Sequence, residues 1–446
     1  MDEKLVPKDL RKEYSLKELL DLEKKYVVPA VGHYYKEPLL LVRGEGATLE
    51  DYAGKQYIDL FAGICTTITG YAHPKFVSTL QWQAERLVYT SSLYATVPYA
   101  ALAHKLAQIA PRGLTQSFIV NSGSEANEAA LFMAKKYTKN PYIVSCTRAY
   151  HGRTTLTREI SSVGWRTVPE SHPPGVRFQP YGYCYRCPFG KEYPECDITC
   201  ARYLRELIRT QTNNAIAAFI AEPIQGVAGI IQAPPEFFKI THEIVKEYGG
   251  LFISDEVQTG FGRTGNKWWG IQHSGVEPDI ITLAKGFGSG VPIGGFLTRP
   301  EYAAEYTMTD SFATFGGNLL SCAAACAVIE IIQESDYLGK AAKLGNTIKQ
   351  KLQSLQKDHP IMGEVRGQGM MLGVELVRDK TTKEPATKEL LQVMEICKNN
   401  GLLIGKGGLD GNVIRIQPPL ELTQKQAEEA CSILDRAFTE VERTLD

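Results

Sequence analysis

Short apolar runs alternate with stretches of helical periodicity from about residue 71 to residue 300, and this alternation limits the possible folds more than any other feature of the chain. The runs occupy residues 117–120, 142–145, 215–221, 251–254, 280–283 and 293–297. Such runs are typical of strands buried on both faces, and intervening helices connect strands that lie parallel. The pattern predicts an α/β fold with a mostly parallel, doubly wound sheet.

A different pattern follows towards the C-terminus. After an alanine-rich helical stretch come a strand-like run at 369–376, a helix over 388–399 that ends before Gly401, and two runs around an Asp410-Gly411 turn. Thr423 has the position of an N-cap for a final helix. These signals predict a smaller α+β domain packed on the first.

The chain has 446 residues, which predicts two or three structural units at about 150 residues per domain. We expect an N-terminal arm and part of the small domain in residues 1–70, a large cofactor-binding domain in 71–325, and the C-terminal small domain in 326–446. In the arm, Ser15 and Glu18 predict a capping box that opens a short helix.

The charge balance excludes some classes of partner. The chain has 49 basic and 50 acidic residues and a formal net charge of -1, so it has no strong field to attract nucleic acid or an anionic membrane. The N-terminus has no signal-peptide pattern, and no apolar stretch is long enough to span a bilayer. We therefore expect a cytoplasmic protein whose partners are small molecules and copies of itself.

Polar residues follow the apolar runs, and ligands of open α/β sheets bind at the carboxyl ends of the strands. The small residues of Ser122-Gly123-Ser124 lead into a helix whose first amides could bind a phosphate, although such turns are common without a ligand. Tyr150 offers a ring for stacking or for packing, and Arg153 offers a cation. These residues predict a site for a phosphorylated, ring-containing ligand.

Charged residues follow three further runs: Glu222, Asp255 and Lys285. A carboxylate at the end of a core strand is costly unless a cationic group meets it, so a salt bridge between Lys285 and Asp255 is one interpretation. The other is pyridoxal 5'-phosphate, which needs a phosphate anchor, a stacking ring, a counter-ion for its pyridinium and a lysine for a Schiff base. The combination of residues favours the cofactor.

The chain resembles the class III aminotransferases, a group of fold type I pyridoxal-phosphate enzymes that includes 4-aminobutyrate aminotransferase. The resemblance extends from about residue 44 to residue 420. Its clearest motifs are Ser122-Gly123-Ser124-Glu125-Ala126, Tyr150-His151-Gly152-Arg153-Thr154, Asp255-Glu256-Val257-Gln258-Thr259-Gly260, Ala284-Lys285-Gly286 and Thr314-Phe315-Gly316-Gly317-Asn318. The resemblance implies a large domain with a mostly parallel sheet, a smaller α+β domain and transfer of amino groups.

The resemblance also implies a role for individual residues. Lys285 would hold the cofactor and shuttle the proton, and Asp255 would keep the pyridine nitrogen protonated. The other cofactor contacts would be the backbone of Gly123 and Ser124 at the phosphate, Tyr150 stacked on the ring, Gln258 near the phenolic oxygen, and Thr314 at the phosphate of a neighbouring subunit. The resemblance therefore implies a homodimer with shared active sites, or a dimer of such dimers.

For the substrate, the resemblance implies that Arg415 grips an α-carboxylate and that Glu222 pairs with Arg415 when an ω-amine is bound. Ile64 and Arg153 would line the distal end of the pocket. We therefore expect an ω-amino acid donor, such as 4-aminobutyrate or β-alanine, and 2-oxoglutarate as acceptor. A β-aminoacyl-CoA aminotransferase (for example of 3-aminobutyryl-CoA), an aminomutase of this fold and a non-catalytic cofactor-binding regulator are alternatives.

Four cysteines depart from the simplest pattern of the family: Cys184, Cys187, Cys196 and Cys200, spaced C-x2-C-x8-C-x3-C. A zinc or iron–sulfur site fits this spacing. A compact insertion of reduced thiols fits it as well. The sequence leaves the choice open.

Overall fold

The computed structural model of the protein describes residues 6–164 and 175–443. Its strands are β1 (Leu41–Glu45), β2 (Thr48–Asp51), β3 (Gln56–Asp59), β4 (Gln116–Val120), β5 (Ile143–Cys146), β6 (Val176–Gln179), β7 (Ala218–Ala221), β8 (Ile224–Gln225), β9 (Ile231–Gln232), β10 (Leu251–Asp255), β11 (Ile280–Leu283), β12 (Gly294–Thr298), β13 (Met362–Gln368), β14 (Met371–Leu376), β15 (Leu402–Leu403), β16 (Gly405–Gly407) and β17 (Val413–Ile416). Its α-helices are α1 (Lys8–Arg11), α2 (Leu16–Tyr26), α3 (Ala62–Cys65), α4 (Pro74–Ala84), α5 (Val97–Ile109), α6 (Gly123–Thr138), α7 (Thr155–Glu159), α8 (Thr199–Gln211), α9 (Phe237–Glu247), α10 (Pro300–Ala303), α11 (Leu319–Glu334), α12 (Tyr337–Asp358), α13 (Thr387–Asn399) and α14 (Gln424–Glu442).

A seven-stranded sheet with the order β4-β12-β11-β10-β7-β5-β6 forms the centre of the fold. Each of the six predicted apolar segments overlaps one strand of this sheet. All strands of the sheet point the same way except β12, which is antiparallel to both of its neighbours. The predicted fold class, α/β with a mostly parallel sheet, is therefore confirmed. The sequence did not indicate β6, because its residues Val-Arg-Phe-Gln do not form an apolar run.

The strand directions bring the predicted site residues to one edge. Strand β4 is antiparallel to β12, which is antiparallel to β11, so β4 and β11 point the same way. Strands β5, β7 and β10 share this direction. The loops that follow these five strands therefore leave the sheet at the same edge, as ligand sites of open α/β sheets require.

Helix α6 starts at this edge. The Ser122 side chain caps it by accepting a hydrogen bond from the Glu125 amide, and the face rich in alanine is buried against the sheet. The helix ends at Lys139, which has a left-handed backbone (φ 53°). The amides of its first turn consequently point towards the ends of the strands.

Three smaller sheets lie outside the central one: the two-stranded sheet of β8 and β9, and two sheets of four strands. One has the order β13-β14-β17-β16, and the predicted run at 369–376 is part of its hairpin of β13 and β14. The other, β1-β2-β3-β15, pairs N-terminal strands with β15 from the C-terminal region. The limits of the predicted domains stay a prediction.

The helical ends indicated by the sequence are present. The Ser15–Glu18 capping box opens α2, and Thr423 caps α14. Within the described residues, no helix combines the length and the apolar character needed to cross a bilayer.

His359, which follows α12, binds helix α14. Its two ring nitrogens contact Glu442 (2.7 Å) and Asp435 (3.0 Å) of this helix. Burial alone would lower the pKa of His359, but the two carboxylates outweigh burial and raise it. A raised folded-state pKa stabilises the fold fully below the unfolded pKa of about 6.5, and this contribution is lost as the pH rises through the folded-state pKa.

We predict that His359→Gln lowers the free energy of unfolding by roughly 2 kcal/mol at pH 6 and by less at pH 9. Urea denaturation at the two pH values measures the difference, with His104→Gln, an exposed histidine of α5, as the control. An equal loss at both pH values would contradict the charged state of His359.

Candidate active site

A cavity of about 210 Å³ lies at the carboxyl edge of the central sheet. Most of the predicted site residues line it: Gly123, Ser124, Tyr150, Arg153, Glu222, Asp255, Gln258 and Lys285. Segments that are far apart in the chain thus meet at one place, as the strand directions require.

Asp255 is 3% exposed and is held by three hydrogen bonds. Its carboxylate accepts them from His151 Nδ1 (2.7 Å), Asn127 Nδ2 (3.0 Å) and the Val257 amide (3.1 Å). Because a carboxylate only accepts, the proton of a neutral His151 ring is on Nδ1. The alternative interpretation of a salt bridge between Asp255 and Lys285 is wrong, because these partners use the carboxylate instead.

Lys285 begins a short 3-10 turn directly after β11 and has a left-handed backbone (φ 49°), a costly conformation for a residue with a side chain. No carboxylate of the described residues forms an ion pair with its amine. Burial lowers the pKa of Lys285, the neighbouring Cys65 opposes this shift, and Arg415 adds to it. The chain thus provides an amine whose proton is unusually easy to remove.

The start of α6 provides a phosphate-sized recess, since Gly123 and Ser124 of its first turn line the cavity. Gly152 (φ 146°) lies against this turn, and a Cβ there would be 2.5 Å from Ser124 Oγ. Ser124 Oγ also accepts a hydrogen bond from the Arg153 amide. A recess for an anion, a ring at Tyr150, a buried carboxylate and a buried amine fit pyridoxal phosphate.

Glu222 and Arg415 form no hydrogen bond or ion pair with each other in this structure, and the pairing expected when an ω-amine is bound stays a prediction. The Glu222 carboxylate accepts hydrogen bonds from the amides of Tyr150 (3.0 Å) and Gly226 (2.9 Å), while Arg415 Nη2 donates to Gln258 Oε1 (2.8 Å) and Gln417 Oε1 (2.6 Å). Both groups are satisfied by other partners in this arrangement. Burial, opposed by His151 and reinforced by Asp255, raises the pKa of Glu222.

An outer channel of about 670 Å³ continues from the cavity, and both are lined by Tyr150 and Lys285. Arg415 and Ile64 line this channel, as expected for substrate residues. Arg153 instead lines the inner cavity next to Ser124, and is absent from the lining of the channel. The backbone bond to Ser124 holds the Arg153 main chain beside the phosphate recess, and the expected role of its side chain at the distal end of the pocket stays a prediction.

Thr314 lies outside both linings and is exposed. Its carbonyl accepts a hydrogen bond from the Tyr89 hydroxyl, and the rings of Tyr89 and Phe315 are 5.5 Å apart. Within one chain, Thr314 is thus not a part of the site that Lys285 lines.

The sequence interpretation missed three residues of the site: Asn127, His151 and Gln417. His151 belongs to a quoted motif, Asn127 directly follows another, and both bind Asp255. Gln417 comes two positions after Arg415 at the end of β17, and side chains two apart on a strand share a face. That spacing was a usable signal.

The four cysteines Cys184, Cys187, Cys196 and Cys200 are all free thiols. Among residues 6–164 and 175–443, no group of three or more histidine, cysteine or acidic side chains is arranged to hold a metal ion. Burial raises the pKa of Cys200 to about 12 and also raises that of Cys184. The arrangement favours the insertion of reduced thiols.

A model of the family described as aminotransferase class-III matches residues 30–438. The chain is similar to alanine–glyoxylate aminotransferase 2 homolog 2, mitochondrial, of Arabidopsis thaliana (40% identity; 95% of this chain, 87% of the relative). It is also similar to a leucine/methionine racemase of Thermococcus litoralis (36%; 93% and 94%) and a probable 4-aminobutyrate aminotransferase of Bacillus subtilis (34%; 89% and 92%). A crystal structure of an (S)-enantioselective omega-transaminase from Thermomicrobium roseum superposes with a TM-score of 0.89 (31% identity; 96% and 100%).

The bond between His151 and Asp255 yields a prediction that needs no cofactor. His151→Leu leaves a buried carboxylate without a charged hydrogen bond and should lower the free energy of unfolding of the cofactor-free protein by about 1–3 kcal/mol. His151→Gln, which can still donate, should lose less. Urea denaturation measures both, and the effect of His151→Leu should shrink in an Asp255→Asn background. If His151→Leu lowers the free energy of unfolding of the Asp255→Asn protein as much as that of the wild type, His151 acts through packing alone.

Proposed function

Because the chain belongs to the class III aminotransferases, which depend on pyridoxal phosphate, we propose that it transfers amino groups between an α-amino acid and a 2-oxo acid whose α-carboxylate binds Arg415. The state of Arg415 carries this proposal. Its guanidinium is 4% exposed, no carboxylate of the described residues pairs with it, and it lines the same channel as Lys285. A buried, uncompensated cation beside the reactive amine is suited to a substrate carboxylate.

The residues of the inner cavity would hold the cofactor. Gly123 and Ser124 would bind its phosphate, Tyr150 would stack on its ring, Gln258 would lie near its phenolic oxygen, and Asp255 would bind its ring nitrogen. When bound, pyridoxal phosphate supplies an electron-withdrawing ring and carries the amino group between the two half-reactions. His151 and Asn127 support this assignment, because they fix the Asp255 carboxylate on the cavity wall.

Lys285 would move the proton. Burial lowers the pKa of Lys285 and so favours the neutral amine, whose Nζ can accept the proton from the substrate α-carbon and return it. Burial of the surrounding residues excludes water from this transfer. Arg415, which lines the same channel as Lys285, would orient the α-carbon towards Nζ.

The names of relatives suggest the first substrates to test. Alanine and glyoxylate occur in the name of the Arabidopsis relative. The second candidate is an ω-amino acid with 2-oxoglutarate, which the buried Glu222 favours, since this carboxylate could approach Arg415 once it leaves the Tyr150 and Gly226 amides. An extended donor such as a CoA thioester stays an alternative for the outer channel of about 670 Å³.

We predict that the purified enzyme transfers the amino group of alanine to glyoxylate, and that Lys285→Ala abolishes this turnover. Arg415→Lys should raise the KM of the oxo acid about tenfold or more, because lysine lacks the bidentate fork. A screen of α- and ω-amino donors against glyoxylate, pyruvate and 2-oxoglutarate measures specificity. A clear preference for ω-amines with an unchanged oxo-acid KM in Arg415→Lys would refute the proposal. Conversion of one amino acid without an oxo acid would indicate an isomerase.

A homodimer is the proposed assembly. Exposed apolar side chains occur in two neighbouring segments, which Tyr89 connects through its contacts with Thr314 and Phe315. They are Leu87, Val88, Leu93, Tyr94, Val97, Met308, Phe312 and Phe315. An apolar face of this kind on one chain marks an interface, and it would bring Thr314 to the partner's active site.

We predict that Val97→Glu shifts the mass of the protein in solution from dimer to monomer. Val97 is 81% exposed in the single chain, and a charge at this position would oppose its burial in an interface. Because the active sites would be shared, loss of the dimer should also weaken retention of the cofactor. Light scattering after size-exclusion chromatography measures the mass. Leu391→Glu, at an exposed apolar residue of α13, is the control. A wild-type monomer that retains the cofactor would exclude a shared site.

A further inference from the structure

Neutral side-chain amides hold the Arg415 guanidinium in place. The inference from this contact rests on the proposed function and extends it. We propose that Gln417 is a positioning residue that keeps the Arg415 guanidinium in place without neutralising it, so that the α-carboxylate of the substrate is its first anionic partner. The inference names the substrate class as acids whose carboxylate is adjacent to the reacting carbon.

Three side chains form a closed set of hydrogen bonds. Arg415 Nη2 donates to the amide oxygens of Gln417 (2.6 Å) and Gln258 (2.8 Å), and Gln417 Nε2 donates to the same Gln258 oxygen (3.1 Å). Gln417 is fully buried and Gln258 is 6% exposed, so water cannot replace these contacts. The set therefore fixes one side of the guanidinium.

The other atoms of the guanidinium are left for a ligand. Arg415 Nε is buried and makes no hydrogen bond to the described residues. The Arg415 Cζ atom lies 5.2 Å from the centre of the Phe61 ring, a contact that also leaves the charge uncompensated. Amide oxygens contribute dipoles but no net charge, whereas a carboxylate at position 417 would cancel the cation before the substrate arrives.

Glycines make room for this arrangement. Strand β16 lies beside β17, with Gly405 opposite Arg415. A Cβ at Gly407 would be 2.5 Å from Arg415 Cδ and 3.1 Å from the Val227 carbonyl oxygen, and one at Gly405 would overlap the Phe61 ring. A Cβ at Gly226 would overlap the Gln258 amide. A side chain at Gly407 or Gly226 would displace a member of the set, and one at Gly405 would displace the Phe61 ring that contacts Arg415.

The test compares two substitutions of similar size in the holoenzyme. Gln417→Glu introduces a negative charge beside Arg415, and Gln417→Met removes the hydrogen bonds without adding a charge. Binding of propionate, an unreactive carboxylate, is measured by isothermal titration calorimetry, together with KM and kcat for glyoxylate. Gln232→Glu, at an exposed site that contacts Gln368, is the control for an added charge.

We expect Gln417→Glu to weaken propionate binding and to raise the glyoxylate KM at least tenfold, with a smaller change in kcat. Gln417→Met should change both by about threefold or less. A primary amine without a carboxylate, such as 1-phenylethylamine, should convert the cofactor as fast in Gln417→Glu as in the wild type. Equal damage by Glu and Met, or equal loss with all substrates, would overturn the inference and make Gln417 structural.

The two proposals fail separately. If the wild type binds propionate and Gln417→Glu does not, but no amino acid is turned over, the inference holds and the proposed function is wrong.

Gly407→Ala provides a second test, because it displaces Arg415 without changing any charge. It should also raise the glyoxylate KM, whereas Gly32→Ala, where a Cβ meets no atom within 4 Å, should not. An unchanged KM in Gly407→Ala would contradict the required clearance.

Discussion

Buried charges that avoid neutralising one another are the constraint on which the site depends. Asp255 is bound by a histidine, an asparagine and a backbone amide, Glu222 by two backbone amides, and Arg415 by two side-chain amides. Direct ion pairs would satisfy these groups as well, but would cancel their charges. Hydrogen bonds from amides, together with the His151 ring at Asp255, instead reduce the cost of burial and leave Glu222 and Arg415 without an ion-pair partner among the described residues.

The positions of these charges depend on contacts between the central sheet and the small domain. The Tyr181 hydroxyl donates to the carbonyl of Pro223 (3.0 Å), just after Glu222, while Tyr183 and Arg186 bind Glu375 of β14. Strand β14 pairs with β17, which carries Arg415. The cysteine-containing insertion thus starts with a bridge between the two regions, which gives it a structural role.

Glycines also shape the site, because a residue without a side chain lets neighbouring segments approach closely. The clearances at Gly152, Gly226 and Gly407 let loops and strands approach Ser124, Gln258 and Arg415 more closely than any other residue would permit. Because these contacts join segments distant in sequence, no local pattern distinguishes such glycines from those that only form turns.

The sequence by itself determined six of the seven strands of the central sheet, the caps of α2 and α14, and the loops that carry Lys285 and Asp255, because periodicity and capping are local properties and parallel strands must end at one edge. It did not determine the partners of these side chains. The tertiary structure directed Asp255 to His151 rather than Lys285, and it brought Gln258 to Arg415. Hydrogen bonds between buried groups depend on ångström-scale distances set by packing, and residues more than a hundred positions apart acquire those distances only when the chain has folded.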